Sequence, residues 1–262
     1  MTSNSAATEK KQPVSDPQAP RAVINEVIEA HGGADGWHCL EALEADISVW
    51  GLLFTMKRRP VLDHVTVRAN TKMPRFAFLD FPGPGQTGEL IGDEEVRILS
   101  GDGGILQRRE RPRSFFRGLR RQLFWDDLDF LYFGGYATWN YLTTPFLFLR
   151  EGFVFEFLPL LPKMPASWSR LRVTFPDDIP THCRQQEFFF DHQRRLRRLD
   201  YTAEVIGGWA HAAHLCEDYR QFNGIEAPAS RRVRPLLFGA NPLPGPTLVA
   251  IEVHEIRLIA AA

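Results

Sequence analysis

Three strand-like runs follow one another between Val173 and Gly224, and this stretch constrains the fold more than any other segment. Apolar and polar residues alternate within the runs, and turn residues such as the pair Gly207-Gly208 separate them. A period of two residues is typical of β-strands that turn one face toward a core. The segment therefore predicts an antiparallel meander and an all-β scaffold with an apolar interior.

The first half of the chain continues the same pattern. Between Leu43 and Leu106 apolar residues alternate with polar ones, and Gly- or Pro-rich breaks recur at roughly ten-residue intervals, as in antiparallel β proteins. One break, residues 83–88, matches G-x-G-x-x-G, but Pro84 stiffens it and a strand-like segment follows. We interpret it as a hairpin loop and not as a dinucleotide site. Residues 247–259 predict a closing strand.

Two segments are predicted to be helical. Arg21–Ala30 is amphipathic and ends at His31-Gly32-Gly33, where His31 is expected to cap the helix. Residues 130–149 carry no charge over a length that could span a membrane, but Gly, Thr, Asn and Pro dilute their hydrophobicity. We therefore expect a buried helix ending at Pro145, within a helical insertion near residues 113–149 that covers or plugs the sheet.

Composition narrows the class of protein. The chain is 44% apolar with 20 Phe, six Trp and five Tyr, which suits strands and wide cavities. A formal net charge of -1 provides no basic field, so no nucleic-acid partner is expected. Three cysteines far apart in sequence favour a reducing, cytoplasmic location over a disulfide framework. Residues 1–20 lack a secretory signal and predict a disordered tail before a single domain over residues 21–262.

Seven arginines lie between Arg108 and Arg121, and acidic residues follow at Asp126, Asp127 and Asp129. Such a run is usually a solvated face that neighbouring carboxylates partly neutralise. Phe115 and Phe116 interleave the arginines, as in segments that contact an anionic membrane surface. The sequence leaves both interpretations open, together with the oligomeric state.

Several short motifs together resemble the LolA-like superfamily. They are His31-Gly32-Gly33 followed by Trp37, then Asp200-Tyr201, Gly207-Gly208, Asp218-Tyr219-Arg220 and Phe222-Asn223-Gly224-Ile225. The resemblance covers most of residues 21–259. It implies a mainly β fold in which a strongly curved antiparallel sheet forms a half-barrel and helices cover its open side. It also implies an apolar cavity, because known members carry lipid or lipoprotein acyl chains.

The meander also carries the candidate catalytic residues. His182 belongs to the first run, Tyr201 and Glu204 belong to the second, and His214 and Asp218 belong to the third. If the polar faces of the three strands coincide on the concave side, the histidines and carboxylates form a cluster able to transfer protons. If they coincide on the convex side, the same residues form ion pairs in solvent.

No motif predicts a cofactor or a metal. His211 and His214 have a spacing that suits a metal site on a helix, but on a strand they point to opposite faces. The sequence contains no G-x-S-x-G, no H-E-x-x-H and no phosphate-binding lysine loop. The standard hydrolase, zincin and NTPase classes are therefore excluded on sequence grounds.

Two hypotheses remain. The first is a protein that binds a hydrophobic small molecule or acyl chain in the half-barrel cavity. The alternative is a cofactor-independent isomerase, cyclase or lyase that acts on an apolar substrate through His214 and Asp218, helped by Glu204 or Tyr201. The candidate ligand-binding residues are aromatic: Trp125, Phe130, Tyr132, Phe133, Tyr136, Trp139, Tyr141 and Trp209.

Overall fold

A computed structural model describes residues 19–236 and 241–261. The predicted disordered tail lies outside the described residues, except that residues 19 and 20 begin the first helix. The strands are β1 (Leu40–Trp50), β2 (Leu62–Asn70), β3 (Arg75–Leu79), β4 (Thr87–Ile91), β5 (Glu95–Leu99), β6 (Ile105–Glu110), β7 (Val154–Phe157), β8 (Ser169–Thr174), β9 (Gln185–Phe190), β10 (Leu196–Thr202), β11 (His211–Phe222), β12 (Ile225–Pro235) and β13 (Val249–Ala260). The helices are α1 (Ala19–Ala30), α2 (Ala34–His38), α3 (Leu52–Met56), α4 (Leu119–Leu123) and α5 (Asp127–Thr143), with 3-10 helices at Pro112–Phe116 and Phe146–Leu149.

The described strands form one antiparallel sheet in the order β6-β5-β4-β3-β2-β1-β13-β12-β11-β10-β9-β8-β7. Neighbours in the sheet are also neighbours in the chain except at β1, which pairs with the last strand, β13. The sheet is open, with β6 and β7 at its edges. These features confirm the predicted mainly β fold, a curved half-barrel sheet with a few helices.

The apolar and polar residues that alternate in the sequence lie on opposite faces of the sheet. On β5, for example, Val96 and Ile98 are fully buried, while Glu95 and Arg97 are half-buried on the other face. Residues 83–86 of the Gly-rich segment form the turn between β3 and β4, as predicted from the sequence, and Thr87 and Gly88 begin β4. Strand pairing satisfies the backbone polar groups, so the apolar face can be buried without unpaired N–H or C=O groups.

Helix α5 lies against the apolar face of the sheet, and every residue in it except Asp127 and Leu142 is buried. Asp126 and Asp129 cap its N-terminus by exchanging side-chain and backbone hydrogen bonds. The helix approaches the sheet closely, because a Cβ on Gly135 would lie 3.3 Å from Cβ of Leu90. The predicted buried helix with a close-packed glycine pair is confirmed, and its end at Thr143 precedes Pro145.

No helix within the described ranges combines the length and the hydrophobicity needed to cross a membrane.

Candidate ligand cavity and buried histidine-tyrosine cluster

A cavity of about 450 Å³ lies where α3, α4 and α5 cover the ends of strands β10 to β13. Its walls are mainly aliphatic and aromatic, and its polar side chains are Lys57, Gln122, Tyr201 and His211. Trp209, which is 70% exposed, stands at the rim. The apolar lining residues are Leu53, Met56, Phe133, Ala203, Ile206, Trp209, Ala210, Ala212, Val233, Pro235, Leu243, Pro246, Leu248 and Val249.

Polar contacts hold the helical wall of this cavity in place. The buried Lys57 ammonium donates to the carbonyl oxygens of Arg121 at 2.9 Å and Gln122 at 2.6 Å. Burial lowers the pKa of Lys57. The amide of Gln122 donates in turn to the carbonyl of Ile206 at 2.9 Å. These bonds join the end of α3, α4 and the turn that follows β10 into one covering layer.

A chain of buried hydroxyl and imidazole groups lies next to the cavity. His182 Nδ1 is 3.0 Å from the hydroxyl of Tyr136, and its Nε2 is 2.7 Å from the hydroxyl of Tyr141. The Tyr141 hydroxyl is also 3.1 Å from that of Tyr201, whose ring stacks on His182 with centroids 4.0 Å apart. Because Tyr201 lines the cavity, this chain connects the cavity wall to α5.

Burial keeps the groups of this chain uncharged. It lowers the pKa of His182 to about 3, with a further contribution from the Arg113 guanidinium. Burial also raises the pKa values of Tyr136 and Tyr201 well above their ordinary range. A neutral imidazole has one N–H and one lone pair, so His182 donates to one tyrosine and accepts from the other.

His214 on β11 is fully buried beside this chain. Its ring meets the ring of Tyr141 edge-on, with centroids 4.4 Å apart. Neither ring nitrogen has a hydrogen-bond partner among the described residues. Burial lowers the pKa of His214 well below its ordinary value, and the nearby Arg231 acts in the same direction.

The predicted coincidence of polar faces on the meander is wrong. His214 lies directly opposite Leu199, whereas Asp200 lies opposite Ala213, so His214 shares a face with Tyr201 and not with Asp200. Arg198 and Asp200 pair with each other on the other face, outside the chain of tyrosines. A register shift of one residue exchanges the two faces of a strand, and alternation within each run does not determine that register.

The two candidate carboxylates lie away from His214. Asp218 has a left-handed backbone with φ of 52°, which interrupts the alternation between the buried Cys216 and the buried Phe222. Its side chain is exposed and pairs with Arg220. Glu204, just beyond the end of β10, is 53% exposed and accepts from Arg113 at 3.0 Å. The predicted pairing of His214 with Asp218 is therefore not formed.

The aromatic candidates divide among three environments. Phe133 and Trp209 line the cavity, together with Tyr201 from the catalytic set, whereas Tyr136 and Tyr141 belong to the chain of hydroxyls. The aliphatic lining residues were missed because nothing in sequence distinguishes them from other core positions. The remaining aromatic candidates are buried in the core: Trp125, Phe130, Tyr132 and Trp139.

Most of the charge in the Arg-rich segment is paired. Arg109 and Arg121 both contact Asp126 and the fully buried Asp129. Arg113 pairs with Glu204, as described above, and Arg108 pairs with Glu110. Phe116 is buried, and the exposed ring of Phe115 lies beneath the Arg109 guanidinium. Through Arg109 on β6, these ion pairs link the N-terminus of α5 to the sheet.

One surface cluster of potential metal ligands consists of Asp46, His64 and His254. His64 contacts the carboxylate of Asp46 at 2.9 Å, and His254 Nε2 is 2.9 Å from the Ser48 hydroxyl. The two rings stack with centroids 4.1 Å apart and planes 24° from parallel. Imidazole lone pairs lie in the ring plane, so stacked rings do not direct both lone pairs at one ion. His211 and His214 do not form a metal site either, because His211 bonds to Thr202 at the surface and His214 is buried.

The fold and cavity define a half-barrel protein with an apolar pocket under its helices. No protein-family model and no curated protein matches the sequence. Among solved structures, the chain is similar to a LolA superfamily protein from Nitrosomonas europaea, with 10% identity, a TM-score of 0.49 and coverage of 93% of this chain and 94% of that chain. A DUF1329 family protein from Desulfovibrio piger has 10% identity, a TM-score of 0.47 and the same coverage of both chains.

Proposed function

We propose that the protein binds a hydrophobic small molecule or acyl chain in the cavity beneath α3 and α4. The observation that carries this proposal is the apolar cavity of about 450 Å³. Small-molecule sites typically occupy roughly 300 to 1,000 Å³ and are lined mainly by apolar side chains with a few polar groups. An apolar ligand would gain dispersion contacts there and remove its own surface from water.

Binding is favoured over acid-base catalysis because burial keeps the histidines and tyrosines of the buried chain beside the cavity uncharged at neutral pH. Efficient general acids and bases have pKa values close to the working pH. The pKa of His182 is about 3, and burial keeps His214 neutral and the hydroxyl of Tyr201 protonated. With both candidate carboxylates at the surface, the enzyme hypothesis lacks a charged partner for its histidines.

A membrane contact through Arg108–Arg121 is disfavoured by the carboxylate partners of four of its arginines. A cytoplasmic location is in keeping with Cys39, Cys183 and Cys216, which are all free thiols. The ligand would then be a lipid-like metabolite of that compartment.

The experiment is a comparison of ligand occupancy between wild type and a cavity-filling variant. Protein purified from cells is extracted with organic solvent, and the extract is searched by mass spectrometry for a stoichiometric apolar compound. Val233→Phe places a ring in the cavity wall, whereas Val61→Phe makes the same change at an exposed position outside it. We expect the ligand to be present in wild type and V61F and lost from V233F. An empty extract from wild type, together with no saturable binding of added dodecanol, would contradict the proposal.

A further inference from the structure

The imidazole of His214 is a buried polar group whose hydrogen-bonding capacity is unused within the described residues. An unpartnered polar group in the interior costs free energy, and nearly all such groups in folded proteins have a partner. A leucine or phenylalanine would avoid this cost. The imidazole therefore points to a partner outside the polypeptide.

Arg231 is a buried cation that makes hydrogen bonds but contacts no carboxylate among the described residues. Its guanidinium donates to the carbonyl of Tyr141 at 2.8 Å and to the sulfur of Cys216 at 3.4 Å, and it lies over the Tyr141 ring. None of these partners is a carboxylate, and no ion pair of Arg231 occurs in the part of the chain that the structure describes. Burial raises the pKa of the Cys216 thiol, so the sulfur does not supply the missing negative charge. Buried cations are normally paired with an anion.

Both residues continue the wall of the cavity along β11 and β12. Ala212 pairs with Pro235 and His214 pairs with Val233, and all of these except His214 line the cavity. Arg231 lies two residues beyond Val233 on the same face, which is about 7 Å along a strand. Tyr201 lines the cavity, and its ring centroid is 6.5 Å from that of His214. Neither His214 nor Arg231 itself lines the cavity, so a head group would reach them by displacing a lining side chain such as Tyr201.

We propose that His214 and Arg231 form a polar subsite for the carboxylate of an amphiphile whose apolar body occupies the cavity. This inference rests on the proposed binding function and names the class of ligand as a carboxylic acid with a hydrocarbon body. The neutral imidazole donates its N–H to one carboxylate oxygen, and the guanidinium supplies the opposite charge.

The experiment compares two probes that differ only in their head group, dodecanoate and 1-dodecanol, by competition against a fluorescent apolar dye at pH 7. Wild type is compared with His214→Leu, Arg231→Met and the control His192→Leu, which removes an exposed imidazole from the turn between β9 and β10, outside the cavity. We expect wild type and H192L to bind the acid about tenfold or more tighter than the alcohol, as hydrogen bonds to a charged group predict. H214L and R231M are expected to remove that preference while retaining affinity for the alcohol.

A second readout separates a binding role from a structural one. If His214 serves the ligand and not the fold, H214L raises the melting temperature of the ligand-free protein while it weakens acid binding. Equal affinity of wild type for acid and alcohol, or a preference that survives H214L, would overturn the subsite and leave the binding function intact. Failure of both probes to bind wild type would instead overturn the binding function. Should R231M not fold, H214L and H192L decide the question.

Discussion

Tyr141 on α5 and His182 in the segment before β9 are joined by a hydrogen bond of 2.7 Å between Oη and Nε2. Through this bond the buried helix is fixed to the strands of the meander by polar contacts inside an apolar interior. His182 also bonds to Tyr136 one turn earlier on α5, so a single imidazole holds two tyrosines of the helix. The placement of α5 over the sheet therefore depends on specific hydrogen bonds in addition to apolar packing.

Tyr141→Phe is expected to destabilise the protein by about 1 to 3 kcal/mol, because it leaves a nitrogen of buried His182 without a partner. Tyr201→Phe removes only the hydroxyl contact to Tyr141 and is expected to cost about 1 kcal/mol. Urea unfolding followed by circular dichroism measures both values. Equal stability of Y141F and wild type would contradict the role assigned to this bond.

His214→Leu is expected to stabilise the ligand-free protein by about 1 kcal/mol. Removal of the two unpartnered nitrogens should raise the free energy of unfolding by roughly 1 to 3 kcal/mol. Loss of the edge-on contact with Tyr141 offsets about 1 kcal/mol of that gain. His182→Leu is the matched comparison, since that imidazole is fully bonded, and it is expected to destabilise. Chemical denaturation of the two variants tests the contrast, and a clear loss of stability in H214L would show that its imidazole has a partner.

Stability is expected to fall as the pH decreases from 7 to 5. The pKa of His182 is about 3 and that of His214 is also lowered, because both are buried, so below about 6.5 the unfolded chain binds protons that the folded protein does not. The stabilisation from these neutral histidines is fully present above their pKa in the unfolded state. It is lost as the pH falls toward their pKa in the folded state. Because its folded pKa is about 3, His182 contributes a slope of about 1.4 kcal/mol per pH unit between pH 6.5 and 5. The lowered pKa of His214 acts in the same direction, so unfolding free energies measured at pH 7 and 5 should differ less in H214L than in wild type.

The two glycines of α5 are expected to respond differently to alanine. Gly134→Ala adds a Cβ at 3.4 Å from the Phe78 ring, which is an ordinary contact, so the helix propensity of alanine should stabilise the protein by up to about 1 kcal/mol. Gly135→Ala adds a Cβ at 3.3 Å from Cβ of Leu90, which is fixed to the backbone of β4. Strain there is expected to cancel or exceed the propensity gain. Thermal unfolding should rank G134A above G135A, and the reverse order would contradict this packing.

Local patterns in the sequence were sufficient to predict most of the elements. Alternation in segments such as Val96 to Ile98 follows from the period of a strand that buries one face, and the uncharged stretch with Gly134 and Gly135 identified α5 as a buried helix. These signals are local, because each element needs only its own residues to bury a face or to satisfy its backbone. The mainly β class could be predicted for the same reason, whereas the half-barrel was expected only from the resemblance to the LolA-like superfamily.

The composition of the site was decided only by the tertiary structure. Strand register placed His214 opposite Leu199 and away from Asp200, and a left-handed backbone at Asp218 turned that carboxylate to solvent. The chain formed by Tyr141, His182 and Tyr201 joins residues far apart in sequence, which no periodicity reveals. The sequence by itself thus determined the elements and their buried faces. Register and helix docking, which depend on contacts between distant segments, decided which polar groups meet inside the half-barrel.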